Sequence, residues 1–270
     1  MSRARGFALP LVILLALVVG LMGAVLLERQ ASVARLAARE VASYRDRHYE
    51  RGVREVIGAW SDSLAGQPVE KMTAGDGHIL DLELPTGGGA AVYLFDGQAG
   101  FLTDPRGLSA AEREDWAGVM LELQGMRSPG NSTWWRPVGP LAVSVKTAPV
   151  EVLEAVGNYA SGGGRNGKRF ASELERMRTR GDLTTADVAT AMNASDFTPK
   201  QREAVNRLVT VAPELKAVVV DVYETRRGGR ETELVRRYGG RMLLAGVGKV
   251  PTTMQSLGRF LSWEELPLHD

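Results

Sequence analysis

The feature that most constrains this chain is an uncharged run near its N-terminus. No side chain from Phe7 to Leu27 is ionisable, and Arg3 and Arg5 precede the run. At about 1.5 Å of rise per residue, a helix of this length crosses a hydrocarbon core of about 30 Å. A buried helix of a soluble protein is the alternative. Because arginines before the run favour a cytoplasmic N-terminus, the sequence predicts one membrane span with the bulk of the chain outside the cytoplasm.

The two ends of the run indicate how it is processed. A secretory signal has an apolar core of about 7 to 15 residues and then a small-x-small site, whereas this run passes directly into Glu28 and Arg29. We therefore expect the run to be retained. The Gly6-Phe7 junction resembles class III, prepilin-type signals, which a prepilin peptidase cuts after the glycine. That resemblance implies a leader of residues 1–6 and a methylated Phe7 as the first mature residue.

Apolar residues recur at helical spacing beyond the run, which predicts that one amphipathic helix continues through the membrane and out of it. Gly66 and Pro68 follow in the order that usually ends a helix, so we expect the helix to end near Ala65. Such a stem helix is on the order of 90 Å long. Residues 7–27 form its transmembrane part in this interpretation. The recurring apolar positions are Val33, Leu36, Ala37, Val41, Tyr44, Val53, Val56, Ile57 and Trp60.

Two groups of predicted strands flank the middle of the chain. Residues 77–104 contain a hairpin, in which a turn at Gly87-Gly88-Gly89 precedes the strand Ala91–Phe95. Residues 28–106 thus hold the rest of the stem and the first part of a sheet. Residues 213–270 hold the remaining strands, of which Ala217–Glu224 is the clearest.

The C-terminal strands form a meander in this interpretation. A Gly228-Gly229 turn leads to a second strand at Thr232–Tyr238, and a Gly239-Gly240 turn leads to a third strand at Met242–Ala245.

Between the strand groups, residues 107–212 predict a helical subdomain. Ser109 with Glu112 is a capping box, and Thr198-Pro199 places proline at a first helical position. The predicted fold class is α+β, with a pilin-like long N-terminal helix packed on an antiparallel sheet and an inserted all-helical subdomain. The predicted helices are Ala110–Leu123, Pro149–Val156, Phe170–Arg180, Thr185–Met192 and Pro199–Val211.

The stretch Val143–Leu153 resembles a family junction. In the K-type minor pseudopilins of the type II secretion system, the general secretion pathway protein K family, an Asn-x-Asn-Thr-Ala junction leads from a strand into an apolar helix. Here Thr147, Ala148 and Pro149 match that junction, while Ser144 and Lys146 stand where asparagine is usual. The family's pilin stem, sheet and large helical insertion agree with the predicted fold.

The fifth mature position also resembles the K-type pattern. Most pilins carry a glutamate there, which meets the N-terminal amine of a neighbouring subunit, and a carboxylate in lipid is costly unless it is paired. This chain has Leu11 at that position. Absence of the glutamate is characteristic of the K-type subunit, and it implies a protein that caps a filament.

The resemblance implies a non-enzymatic subunit that caps and helps to initiate a periplasmic pseudopilus. It implies I-type and J-type minor pseudopilin partners, the prepilin peptidase, and a single-pass position in the bacterial inner membrane with the C-terminal domain in the periplasm. K-type proteins are also associated with calcium, but no spacing here resembles a calcium loop, so the metal site stays unassigned. The candidate donors are Asp96, Asp104, Asp182, Asp187 and Asp196.

Composition excludes several other classes of function. The chain has a net charge of +1 and no cysteine, so no nucleic-acid-binding surface is expected, and disulfides, thiolate metal sites and cysteine nucleophiles are excluded. His48, His78 and His269 do not pair at metal-ligand spacing. The segment 162–168 lacks the spacing of a phosphate loop and predicts a linker.

Three questions stay open at the level of sequence. The Trp134-Trp135 pair either recognises a partner or places one ring as a seal between subdomain and sheet. A minor pilin of a type IV pilus or DNA-uptake filament shares every stem feature, and a DNA role predicts a continuous basic face. A signal-anchored periplasmic domain without a filament role predicts that residues 1–6 stay attached.

Overall fold

The structure is a computed structural model that describes residues 8–63, 76–84, 88–126, 132–163, 166–225, 232–243 and 260–268. It divides into two units, Met1–Ile57 and Gly58–Asp270, which we describe separately. The first unit is helical throughout its described part, and the second holds the sheet and the remaining helices. We call the second unit the head.

The predicted stem helix is present as α1, which runs without interruption from Ala8 to Ser63 over 56 residues. Its end lies close to the predicted end at Ala65. The residues expected to stop it, Gly66 and Pro68, lie outside the described residues. The long N-terminal helix of the predicted fold class is thus confirmed.

The described part of the head contains nine strands and five helices. The strands are β1 (His78–Leu84), β2 (Gly88–Asp96), β3 (Phe101–Leu102), β4 (Trp135–Arg136), β5 (Val143–Ser144), β6 (Val209–Thr210), β7 (Leu215–Thr225), β8 (Thr232–Leu243) and β9 (Phe260–Leu266). The helices are α2 (Ala110–Gly125), α3 (Val150–Ser161), α4 (Asn166–Arg178), α5 (Thr185–Ala194) and α6 (Pro199–Leu208).

One five-stranded sheet in the order β1-β2-β7-β8-β9 organises the head. All four of its pairings are antiparallel, and the hairpin of β1 and β2 agrees with the predicted one. Gly88 and Gly89, expected in the turn, instead begin β2 and pair with Glu224 and Tyr223. The α+β class with an antiparallel sheet is confirmed and is consistent with a pilin-like fold.

The predicted turn at Gly239-Gly240 is wrong, and so is a new strand that begins at Met242. Residues 244–245 of that predicted strand and the predicted Gly228-Gly229 turn lie outside the described residues. β8 runs through both glycines, which pair with Val219 and Val218 of β7. A Cβ atom at Gly240 would lie 2.7 Å from the ring of Trp263, and one at Gly239 would lie 2.9 Å from Leu266. The glycines thus make room for side chains of β9, which pairs with β8 and is the next strand among the described residues.

An insertion between strands of the sheet is present as predicted, since β2 and β7 are neighbours although residues 97–214 separate them. It is longer than the predicted 107–212, and it holds four short strands besides its helices. We call residues 97–214 the insertion. All five of its predicted helices are found, the capping box of α2 is formed as expected, and Pro199 begins α6 as expected. Helix α6 also has a capping box, between Thr198 and Gln201, which was not predicted. Two short parallel strand pairs, β3 with β4 and β5 with β6, accompany the helices. Helix α6 ends at Leu208 rather than Val211, because Val209–Thr210 pairs with β5.

The insertion has its own hydrophobic core, built from residues of all five helices and of the segments between them. Its largest buried side chains include Trp134, Phe101, Phe170 and Phe197. At about 25 cal/mol for each Å² of apolar surface removed from water, this burial is the main force that holds the helices together.

A buried polar cluster joins α2, α3 and α6 beside this core. Asp115 accepts hydrogen bonds from the hydroxyl of Tyr159 at 2.8 Å and from Arg207 at 2.9 and 3.1 Å. Gly118 leaves the space that the Tyr159 ring occupies. Burial raises the pKa of Asp115, but the hydrogen bonds from Arg207 and Tyr159 outweigh it and hold that pKa below 3.8. Burial and the same hydrogen bond raise the pKa of Tyr159 to about 12.

Replacement of Asp115 by asparagine tests this cluster. We expect the free energy of unfolding at neutral pH to fall by about 2 kcal/mol. The loss of a partner from a fully buried ion pair costs more, but Arg207 is half-exposed and water can solvate its charge in the variant. Urea denaturation followed by tryptophan fluorescence measures the change. The exposed neighbour Glu114→Gln is the control, and an equal loss in both variants would contradict the prediction.

The same cluster predicts a pH dependence. Since the folded-state pKa of Asp115 lies below 3.8, its contribution to stability is present above that value and is lost as pH falls through the folded-state pKa. The difference in stability between wild type and Asp115→Asn is therefore expected to stay constant from neutral pH down to the ordinary carboxyl range and to shrink below it. A difference that already shrinks near neutral pH would show that another group is responsible.

Candidate functional site

The first candidate site is the apolar part of α1, which is long and apolar enough to cross a membrane. Leu11 lies in this part of the helix and is 57% exposed. The predicted cleavage site, Gly6 and Phe7, lies outside the described residues. The other exposed large apolar side chains of this part are Val12, Ile13, Leu14, Leu15, Leu17, Val18, Val19, Leu21, Met22, Val25, Leu26 and Leu27.

Beyond Leu27 an exposed apolar stripe continues along α1. Val33, Leu36, Val41 and Tyr44, which we call the stem stripe, are 58 to 68% exposed. At 100° per residue they lie within an arc of about 140°, and residues 35, 39 and 42 lie on the opposite side. An exposed apolar stripe on a charged helix is the pattern of a helix that packs against a partner.

The second candidate site is the strand-to-helix junction that resembles the K-type motif. The structure forms it as β5, a turn, and Pro149 directly before α3. Ser144 is fully buried, and its backbone oxygen accepts from the N–H of Ala148 at 2.9 Å. Thr147 donates its hydroxyl hydrogen to Asp96 at 2.6 Å. The sequence-predicted Thr147 thus meets the last residue of β2.

This junction belongs to a larger polar region where the insertion joins the sheet. We call residues 96–100, 136–147 and 214–216 the neck. Gln98 is 1% exposed and bonds to all three segments. Its side-chain amide donates to the carbonyl of Ala142 at 2.8 Å, and its side-chain oxygen accepts from the N–H groups of Glu214 and Leu215 at 2.6 and 2.9 Å. Its backbone oxygen accepts from Ser144.

Arg136 lies at the centre of the neck and is 2% exposed. Its Nε donates to the carbonyl of Gly100 at 2.7 Å and one terminal nitrogen donates to Val138 at 2.9 Å. The other terminal nitrogen faces the carbonyls of Pro140, Leu141 and Ala142. Burial, with a smaller effect from Arg241, lowers the pKa of Arg136 to about 9, so the guanidinium stays charged at neutral pH.

Sequence reasoning missed both Gln98 and Arg136. Each is a single polar residue that belongs to no recognisable motif. Its hydrogen-bond partners are mainly backbone groups, which every sequence supplies. In the neck, the sequence carried a signal only for Asp96, a candidate metal donor, and for Thr147, part of the junction motif.

Four of the five predicted aspartate donors have protein partners in the structure, and the fifth, Asp182, is exposed shortly before α5. Calcium takes six to eight oxygen ligands. Asp104 accepts from Arg106, Asp187 completes a capping box, and Asp196 pairs with Arg169. Asp96 is engaged by Thr147 and by the N–H of Gln98. Within the described ranges, no group of three or more His, Asp or Glu side chains is placed to hold a metal.

The histidines and the glycine-rich segment 162–168 were the other candidates for a functional role. His48 lies against Tyr44, His78 pairs with Asp81 at 3.0 Å, and His269 lies outside the described residues. Gly162 ends α3 in the left-handed region, while residues 166–168 begin α4, so this segment joins two helices.

The Trp134-Trp135 pair resolves into one buried and one half-buried ring. Trp134 is 2% exposed within the core of the insertion, and Trp135 packs against that core. One ring is thus buried, as the structural alternative expected, but it lies in the core of the insertion.

Comparison with known proteins gives little beyond this geometry. No protein-family model matches the chain. No curated protein matches it either. One solved structure is similar: the crystal structure of the GspK-GspI-GspJ complex from the enterotoxigenic Escherichia coli type 2 secretion system. The similarity has 12% identity and a TM-score of 0.45, and it covers 86% of this chain and 100% of that chain. Because identity and TM-score are low, we base function on the chain's own residues.

Replacement of Gln98 by alanine tests the neck. It leaves the N–H groups of Glu214 and Leu215 without their acceptor and removes one of the two donors to the carbonyl of Ala142, so we expect the free energy of unfolding to fall by about 3 kcal/mol. Hydrogen exchange is expected to speed up at residues 214–215. The exposed Gln124→Ala in α2 is the matched control, and equal exchange in the two variants would refute the role of Gln98.

Proposed function

We propose that this chain is a minor pseudopilin that caps and helps to initiate the periplasmic pseudopilus of a type II secretion system. The observation that carries the proposal is α1, an unbroken 56-residue helix whose apolar part leads into the exposed stem stripe. Such a helix suits a subunit that starts in a membrane and ends packed among other stems. The role is assembly rather than catalysis.

The proposed sequence of events begins in the inner membrane. Residues 7–27 hold the subunit there as a single span, with the N-terminus cytoplasmic and the head periplasmic. Prepilin peptidase cuts after Gly6, and the new amine of Phe7 is methylated. The stem then packs with the stems of I-type and J-type minor pseudopilins while it leaves the lipid.

Two features support the capping role within this proposal. Leu11 stands where a glutamate would engage a neighbouring subunit, so no carboxylate has to be paired in lipid. The insertion adds five helices to the chain between β2 and β7. We infer that this bulk prevents the addition of a further subunit above.

The DNA-uptake alternative requires a continuous basic face. In the described insertion, arginines are interspersed with acidic partners, as in the pairs Arg169–Asp196, Arg176–Glu173 and Arg207–Asp115. These pairs do not favour a phosphate-binding surface, because neutralised arginines attract DNA weakly.

The first test is the N-terminal sequence and mass of the protein from membranes of cells with and without the prepilin peptidase. We expect a methylated start at Phe7 only when the peptidase is present, and an uncut start for Gly6→Leu. The Ser2→Ala variant is the control and is expected to be processed normally. An uncut start at Met1 in peptidase-containing cells would exclude a filament role.

The second test concerns the stem stripe. Tyr44→Glu places a charge in the stripe, and we expect it to reduce co-purification of the other minor pseudopilins at least about tenfold, which corresponds to about 1.4 kcal/mol. Ala42→Glu introduces the same side chain about 160° around the helix and is expected to leave co-purification unchanged. If the two variants behave alike, the stripe is not the contact surface.

A further inference from the structure

The neck concentrates backbone carbonyls around one positive charge. The oxygens of Gly100, Val138, Pro140, Leu141 and Ala142 face the guanidinium of Arg136. They come from two chain segments, one leaving β2 and one between β4 and β5. Clustered carbonyl dipoles that are buried together repel one another unless a cation or a set of donors lies between them.

A set of converging carbonyl oxygens is the kind of ligand set that a hard metal ion uses. Here the guanidinium supplies both the charge and the directed hydrogens, since arginine carries five N–H donors in a fixed plane. The surrounding loop is shaped to this side chain. Gly139 has a φ of 113°, and a Cβ atom there would lie 2.8 Å from a terminal nitrogen of Arg136.

The chain segment that returns to the sheet is tied to the same loop. Gln98 connects Ala142, which faces Arg136, to Glu214 and Leu215 at the start of β7. Gly97 also donates its N–H to the carbonyl of Leu215 at 3.0 Å. Displacement of the 138–142 loop would therefore disturb both chain segments that join the insertion to the sheet.

We propose that the guanidinium of Arg136 is a built-in cation that holds the 138–142 loop, which Gln98 ties to the sheet at Leu215, and that the neck holds its structure without a divalent metal ion. The described residues hold no group of three or more acidic or histidine side chains placed to bind a metal, which agrees with this role. The inference is independent of which filament the chain serves, since it concerns only the connection between sheet and insertion.

The test uses the full chain in detergent micelles, with thermal unfolding followed by tryptophan fluorescence in calcium chloride or in EGTA. We expect the wild-type Tm to be the same in both. Arg136→Met is expected to lower the Tm by about 10 °C and to speed hydrogen exchange across residues 138–142 and 214–215. Arg202→Met is the control, because Arg202 donates to a single carbonyl, that of Phe197.

Arg136→Lys keeps the charge but replaces the planar guanidinium with one compact ammonium group. This variant is the test if Arg136→Met does not fold. Faster exchange at residues 138–142 in the lysine variant supports the proposal, and wild-type exchange there overturns it. A calcium-induced rise in the Tm of Arg136→Met, without such a rise in the wild type, also supports it. Calcium would then bind among the carbonyl oxygens only after the guanidinium is removed. A calcium-induced rise in the wild-type Tm overturns it, as does a wild-type Tm in Arg136→Met.

Discussion

The pairing of β2 with β7 is the constraint on which the head depends. These strands are neighbours in the sheet although the whole insertion lies between them, so both chain segments must enter and leave at one place. The backbone groups at this crossing are buried, and each one left without a partner costs about as much as a lost hydrogen bond. Gln98 and Arg136 supply those partners. The sheet and the core of the insertion can therefore form side by side within one chain.

A different constraint governs the N-terminal unit. In lipid every backbone polar group must be bonded within the segment, and a continuous helix meets that requirement for a single span. Helix α1 continues well past the apolar run, where the stem stripe exposes apolar side chains on one side. A long helix with two successive apolar surfaces, one suited to lipid and one suited to protein, is the physical basis of the proposed assembly role.

Local signals predicted much of the secondary structure. The capping box at Ser109 and the proline after Thr198 marked helix starts, because both signals act within one turn of the helix. Val218, Val220 and Val222 marked β7, because β-branched residues suit a pleated strand. The prediction of a turn at Gly239-Gly240 was wrong because of contacts with residues distant in the sequence. Glycine signals both a turn and a close approach, and only Trp263 and Leu266 of β9 decide between them.

The sequence by itself determined the apolar run, the class of fold and the order of most helices and strands, because these depend on residues within a few turns of one another. The tertiary structure alone decided that Asp96 meets Thr147, that Asp115 meets Arg207, and that Arg136 lies among carbonyls. Such contacts join residues far apart in the chain. Their partners are often backbone groups, which are the same at every position, so only the folded path of the chain selects them.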